Sequence, residues 1–176
     1  MKKLQLDELK RISPEEFKDK VKFPIVVVLD NIRSALNVGS VFRSCDAFNV
    51  EMVYLCGITA CPPNKEINKT AIGASDTVTW EYFKDINPLV KQLKEDGYHL
   101  CAIEQTDVSS PLQSFEVKVD EKYALILGNE VDGVNEDILT SMDHAIEIPQ
   151  FGTKHSLNVS VCAGIVLWHF VQPQIL

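Results

Sequence analysis

Apolar residues in this chain come as short unbroken runs, separated by stretches in which they recur every three or four positions. PIVVVLD (24–30) is apolar almost throughout and rich in β-branched residues, the pattern of a strand buried on both faces. A helix is expected to follow from about Asn37, with Val38, Val41, Phe42, Cys45 and Phe48 on one stripe and Arg43 and Asp46 off it. MVYLCG (52–57) reads as a second strand, so 24–57 forms a βαβ unit. Residues 58–80 contain Pro62-Pro63 and little periodicity, which predicts a long loop with room for a short helix. A loop of that length inside a compact domain is more often functional than incidental. The spacing then predicts a helix over 87–96 ended by Gly97, a strand over 98–104, a strand over 123–128, a short helix near 136–142 and a strand over 145–149. A last helix is expected from about Ser156 to Phe170, with Leu157, Val161, Ile165 and Trp168 apolar. Apolar strands alternating with helices predict an α/β fold, a mostly parallel sheet with flanking helices.

The N-terminus is different in kind. Ser13-Pro14-Glu15-Glu16 carries a helix-start signature, with Ser as N-cap, Pro in the first turn and Glu reaching back. Residues 1–22 are therefore read as a short helical extension, with Leu4, Leu6, Leu9 and Phe17 available to pack on the body, and 23–176 as one domain.

Composition narrows the possibilities. The 176 residues are 45% hydrophobic, enough for one full core. No apolar run approaches the ~18 residues of a membrane span, and no apolar segment follows the two N-terminal lysines as in a signal peptide. Five cysteines, an odd number without a CxxC, suit small core hydrophobes in a reducing, cytoplasmic setting. Four scattered histidines form no HxxxH or Cys/His cluster, so no metal site is expected. The net charge of −8 runs against a protein that binds nucleic acid through a basic surface, and ordinary solubility explains it. If RNA is the substrate, it must meet a local basic patch, for which Arg33, Arg43, Lys65, Lys69 and Lys154 are the candidates.

Three polar segments begin where predicted strands end: LDNIRSALNVGSVFR (29–43), LGNEVDGV (127–134) and IPQFGTKHSLNVSV (148–161). Open α/β sheets bind ligands beyond the carboxyl ends of their strands, so the three predict one crevice. Neither GxxxxGK[ST] nor GxGxxG is present, which disfavours a P-loop or an ordinary dinucleotide domain. Taken singly, each residue has a plain alternative. Gly128, Gly133 and Gly152 suit turns, Asn37 an N-cap and Arg43 a solvent-facing helix position. Glu130 suits a surface turn, and Ser156 and Asn158 the start of the last helix.

Taken together and in order, the segments resemble the SpoU/TrmH family of SPOUT RNA 2'-O-ribose methyltransferases. Asn37, Gly39 and Arg43 match its first motif; Gly128, Asn129, Glu130 and Gly133 its second; Ile148, Pro149, Gly152 and Ser156-Leu157-Asn158-Val159-Ser160 its third. KTAIGA (69–74) resembles a substrate-side loop of many members, and the likeness covers residues 24–170. The resemblance implies a SPOUT fold with a C-terminal trefoil knot and S-adenosyl-L-methionine as methyl donor. Donor contacts would fall on Leu127, Gly128, Asn129, Glu130, Ile148, Pro149, Gly152, Ser156 and Leu157. It implies catalytic roles for Arg43, Asn37, Glu130, Ser156 and Asn158, and a homodimer through the C-terminal helix, whose apolar stripe otherwise suits core packing. A guanidinium with a pKa above ~12 is an awkward base, so Arg43 reads better as a phosphate and alkoxide stabiliser. Many members carry a separate RNA-binding domain or basic terminal helices, and this chain departs from them. A small RNA such as tRNA is the first expectation and rRNA the second. The competing readings are a catalytically silent RNA-binding protein of the same fold and an α/β enzyme for another nucleotide-like ligand.

Overall fold

The computed structural model describes residues 1–5 and 7–175. Its centre is a seven-stranded sheet in the order β3-β2-β1-β6-β4-β7-β5, parallel at every pairing. The strands are β1 (Phe23–Asp30), β2 (Val50–Cys56), β3 (Trp80–Phe83), β4 (Tyr98–Ile103), β5 (Ser110–Pro111), β6 (Lys122–Leu127) and β7 (His144–Glu147). The helices are α1 (Pro14–Asp19), α2 (Ala35–Ala47), α3 (Lys65–Ala71), α4 (Ala74–Thr77), α5 (Ile86–Glu95), α6 (Glu136–Leu139) and α7 (Val159–Val171). Among the described residues no helix is long and apolar enough to cross a membrane.

Period-two alternation in β1 divides the core. Ile25, Val27 and Leu29 face one layer with Val41, Phe42, Ile67, Leu167 and Phe170, from α2, α3 and α7. Val26 and Val28 face the other with Leu89, Leu93 and Ile138, from α5 and α6. A strand buried on both sides has no polar face to spare, which is why the run at 24–30 is continuous. Sheet growth reverses at β1: the chain lays down β2 and β3 to one side, then crosses to build β4, β6 and β7 on the other. The carboxyl ends of β1 and β6, adjacent in the sheet, flank that switch point, where open α/β sheets place their ligands.

Five expectations need correction. Helix α2 starts two residues before Asn37: Ser34 is its N-cap, its hydroxyl accepting from the Asn37 N–H at 3.3 Å, so the Asn37 side chain is free for another use. Residues 58–80 are not mainly loop. They hold α3 and α4, with Ile67, Ala71 and Ala74 buried, and lead into the edge strand β3. Helix α7 begins at Val159 with Asn158 as cap, its side chain accepting from the Ser160 and Val161 N–H groups. Its Val159, Ala163, Val166, Leu167 and Phe170 face the core, whereas Leu157, Val161, Ile165 and Trp168 are 38–52% exposed, so that stripe is not core packing. At the N-terminus the capping box on α1 is complete, and Phe17 is buried with the Lys22 ammonium 3.1 Å from its ring centroid. Leu4 and Leu9, however, are exposed, and Leu6 lies outside the described residues.

Candidate functional site

The site starts where β1 ends. Asp30 is buried, and burial raises its carboxyl above the ordinary value, Asp85 adding to the effect. Asn31 follows in the left-handed region (φ 55), which Asn tolerates better than most residues. Its Nδ2 donates to Asp30 Oδ1 at 2.8 Å, and its Oδ1 accepts from the Ile58 N–H at 3.2 Å, tying the ends of β1 and β2 together. Its carbonyl accepts from Asn129 Nδ2 at 2.9 Å, which brings in the loop after β6.

That loop folds back on itself. Asn129 and Gly133 exchange two backbone hydrogen bonds, at 3.0 and 2.9 Å, and Gly133 takes a positive φ of 73. A Cβ on Gly128 would lie 2.1 Å from the Gly133 carbonyl, so glycine at 128 is required by the loop's own closure. The fold-back carries Glu130 to the N-terminus of α2. Its carboxylate accepts from the Arg33 N–H at 2.8 Å, the Ser34 N–H at 3.1 Å and Asn37 Nδ2 at 3.0 Å. Burial alone would raise this carboxyl; the hydrogen bonds from Arg33, Asn37 and Ser34 outweigh it and hold the group below its usual value. A negative charge at a helix N-terminus also answers the unpaired N–H groups there.

Asn37 passes the connection on. Its Oδ1 accepts from Asn158 Nδ2 at 3.1 Å, while Asn158 Oδ1 caps α7 through the Ser160 N–H at 2.9 Å and the Ser160 hydroxyl at 2.7 Å. Three polar segments from distant parts of the chain thus meet in one chain of hydrogen bonds, Glu130–Asn37–Asn158.

Beside this junction lies a cleft of about 610 Å³. Leu127, Gly128, Asn129, Glu130, Ile148, Ser156, Leu157 and Asn158 all line it, as the strand-end argument requires. Pro149 and Gly152 do not line it, and a Cβ at Gly152 would meet nothing within 4 Å. Arg43 joins neither the cleft nor the junction: it is exposed on α2, on the same side as Leu36 and Ser40. Arg33, Lys65, Lys69 and Lys154 are also exposed, with Lys69 bound to Glu66 at 2.6 Å.

Sequence reasoning missed Glu104, the residue that follows β4. Its Oε2 accepts from the Val134 N–H at 3.0 Å and its Oε1 from the Gln105 N–H at 2.9 Å. Gln105 Nε2 in turn donates to the His155 carbonyl at 2.9 Å, joining this strand end to the C-terminal segment. The rule that singled out the ends of β1, β6 and β7 applies equally to β4 and was the signal available.

An all-parallel α/β sheet with its polar strand ends gathered on one cleft defines a domain built to hold a small polar ligand at a switch point. The profile of the SpoU rRNA Methylase family matches residues 24–168. The chain belongs to that family. It is 31% identical over 162 residues to a tRNA (guanosine(18)-2'-O)-methyltransferase of Thermus thermophilus, covering 92% of this chain and 81% of the relative. It is 32% identical over 144 residues to the 23S rRNA (guanosine-2'-O-)-methyltransferase RlmB of Neisseria meningitidis, covering 82% of this chain but only 56% of that protein. The chain spans 10% of the mouse tRNA (guanosine(18)-2'-O)-methyltransferase TARBP1, at 29% identity over 86% of its own length. Among solved structures, the TrmH/SpoU tRNA modifying enzyme of A. aeolicus superposes with a TM-score of 0.79 at 26% identity, over 92% of this chain and 81% of that one. The AdoMet-bound rRNA methyltransferase of Sinorhizobium meliloti gives 0.80 at 23% identity over 93% and 61%, a likeness of fold.

Proposed function

We propose that this chain binds S-adenosyl-L-methionine in the cleft beyond β6 and β7 and methylates a ribose 2'-hydroxyl of RNA. The observation that carries this reading is the Glu130–Asn37–Asn158 junction, which fixes all three polar segments around one cleft. The residues present suit the donor. A cleft of about 610 Å³ is in the range for a ligand of that size, and the fold-back loop and residues 155–158 line it. Bound there, the donor supplies an electrophilic methyl carbon.

The chain's own residues then hold and orient. Leu127, Gly128, Asn129, Ile148, Ser156 and Leu157 form the donor's walls, while Pro149 and Gly152 shape the segment between β7 and the cleft. Glu130, already accepting three N–H groups, serves as the anchor of the loop and not as a base. Asn37 and Asn158 set the loops' separation, and the exposed Ser156 hydroxyl faces the incoming ribose. Arg43, exposed on α2 outside the cleft, grips an RNA phosphate beside the reacting ribose, and with the RNA seated its fork of N–H donors stabilises the alkoxide as the hydroxyl loses its proton. Alignment is the larger contribution, since positioning supplies ~7–11 kcal/mol of barrier reduction.

The substrate in this reading is tRNA in the first place. What supports it is the Thermus relative, named for a tRNA, of which the chain covers 81%. The Neisseria relative named for 23S rRNA keeps rRNA as the second candidate. The exposed α7 stripe supports a homodimer, and the ties from 155 and 158 to Gln105 and Asn37 support a knotted path for the C-terminal segment. The enzyme acts in the cytoplasm, on RNA held by Arg33, Arg43, Lys65, Lys69 and Lys154. The test is transfer of labelled methyl from S-adenosylmethionine to RNA from cells lacking this gene, followed by digestion and nucleoside mass analysis. A 2'-O-methylnucleoside made by the wild type and lost in Arg43→Ala is expected; base methylation, or no transfer to any RNA, would overturn the reading.

A further inference from the structure

The cleft wall carries one sign of charge. Glu104, Glu130, Asp132, Glu136 and Glu147 line it, and among the described residues no lysine or arginine does. Asp132 and Glu136 are exposed and so are screened by solvent, and the Glu130 carboxylate is turned to the N-terminus of α2. Glu104 and Glu147 differ, being half-buried at the ends of β4 and β7. Glu104 is also immobilised. Its oxygens accept from Val134 and Gln105, and a Cβ added to Gly133 would come within 2.2 Å of its Oε2, so the carboxylate sits tight against the loop. Its field reaches along the wall. The Cys162 thiol, which also lines the cleft, is pushed up to about 11 by burial, with Glu104 adding to the rise.

Methyl transfer changes the ligand's charge. The C–S bond breaks with its electron pair left on sulfur, a C–O bond forms, the hydroxyl proton leaves to solvent, and a cationic sulfonium becomes a neutral thioether. We infer, resting on the donor reading above, that this cleft distinguishes the two by charge, holding the sulfonium donor more tightly than the spent thioether, with Glu104 as the main determinant and Glu147 second. A fixed, half-buried carboxylate keeps its orientation when the ligand changes, so its attraction is lost as soon as the positive charge is gone. The consequence is release of spent donor driven by the transfer itself, and weak inhibition by accumulated thioether.

Calorimetric titration of the full chain with S-adenosylmethionine and with S-adenosylhomocysteine tests this. In the wild type, raising NaCl from about 50 to about 500 mM weakens the sulfonium ligand about fivefold and the thioether less than about twofold. Glu104→Gln keeps the side chain's size but gives up one of its two N–H acceptors, so both ligands weaken somewhat through the loop; the sulfonium ligand is expected to lose about three- to tenfold more than the thioether. Glu147→Gln is the second variant, since no hydrogen bond among the described residues depends on its carboxylate, and thermal melting verifies that each variant is folded. Equal responses of the two ligands to salt and to both substitutions would overturn the inference while leaving the donor site intact. Failure of both ligands to bind the wild type would instead remove the donor reading, and the inference with it.

Discussion

At the scale of single residues, a carboxylate that accepts and does not donate joins the loops. Glu130 stabilises the fold only while ionised, because all its partners are N–H donors. Its carboxyl is held below the ordinary value, so its contribution is fully present above the unfolded-state pKa and is lost as pH falls through the lower folded one. Glu130→Gln is expected to cost about 1 kcal/mol at neutral pH, since the orphaned donors are partly wetted, and to flatten the acid limb of the stability curve below about pH 4. Urea denaturation across pH measures both. The strand-end rule placed the segments carrying Glu130, Asn37 and Asn158 around one crevice, but nothing in the sequence showed that the three side chains bond to one another. Their bonds join positions 93 and 121 apart, and contact at that separation leaves no trace in local pattern. Arg43 is the opposite case. Its place off the apolar stripe of α2 was legible and correct, and the chemical role proposed for it rests on the motif it shares with the family.

At the scale of elements, strands buried on both faces announced themselves, and edge strands did not. PIVVVLD and YALILG carry the composition of central strands, and β1 and β6 lie side by side at the middle of the sheet. WEYF (80–83) mixes exposed and half-buried positions, and β5 is two residues long, so neither imposes a hydrophobic pattern. Helices α3 and α4 were hidden for a related reason. Each is short and buries only a few apolar side chains, Ile67 and Ala71 in α3 and Ala74 in α4, yet the packing is close, as Gly39 shows: a Cβ there would lie 2.2 Å from Thr70 Oγ1 and 2.3 Å from the Ile67 carbonyl. Gly39→Ala must therefore push α3 away from α2, which is expected to destabilise the fold by about 1–3 kcal/mol, read as a drop in melting temperature. An unchanged melting temperature would mean that the two helices are not held at this distance in solution. The glycine of the first motif thereby has a packing explanation, independent of any ligand.

At the scale of the whole molecule, charge and exposed apolar area set the terms of association. A net charge of −8 leaves little long-range attraction for RNA, so under the proposed function affinity comes from a few local contacts and from the proposed dimer's doubled surface. The α7 stripe is where doubling is expected. Ile165→Glu places a charge in its middle without touching Val166, Leu167 or Phe170 in the core, and should convert a dimer to a folded monomer in sedimentation velocity. A monomeric wild type would contradict a dimer through α7. If loops far apart in sequence form one donor site, hydrogen–deuterium exchange with and without S-adenosylmethionine will show them responding as one. Donor should slow exchange in 128–134 and 148–158 together, with the α2 N-terminus at 33–37 following through Glu130. Protection confined to one loop, or lying away from all three, would contradict it.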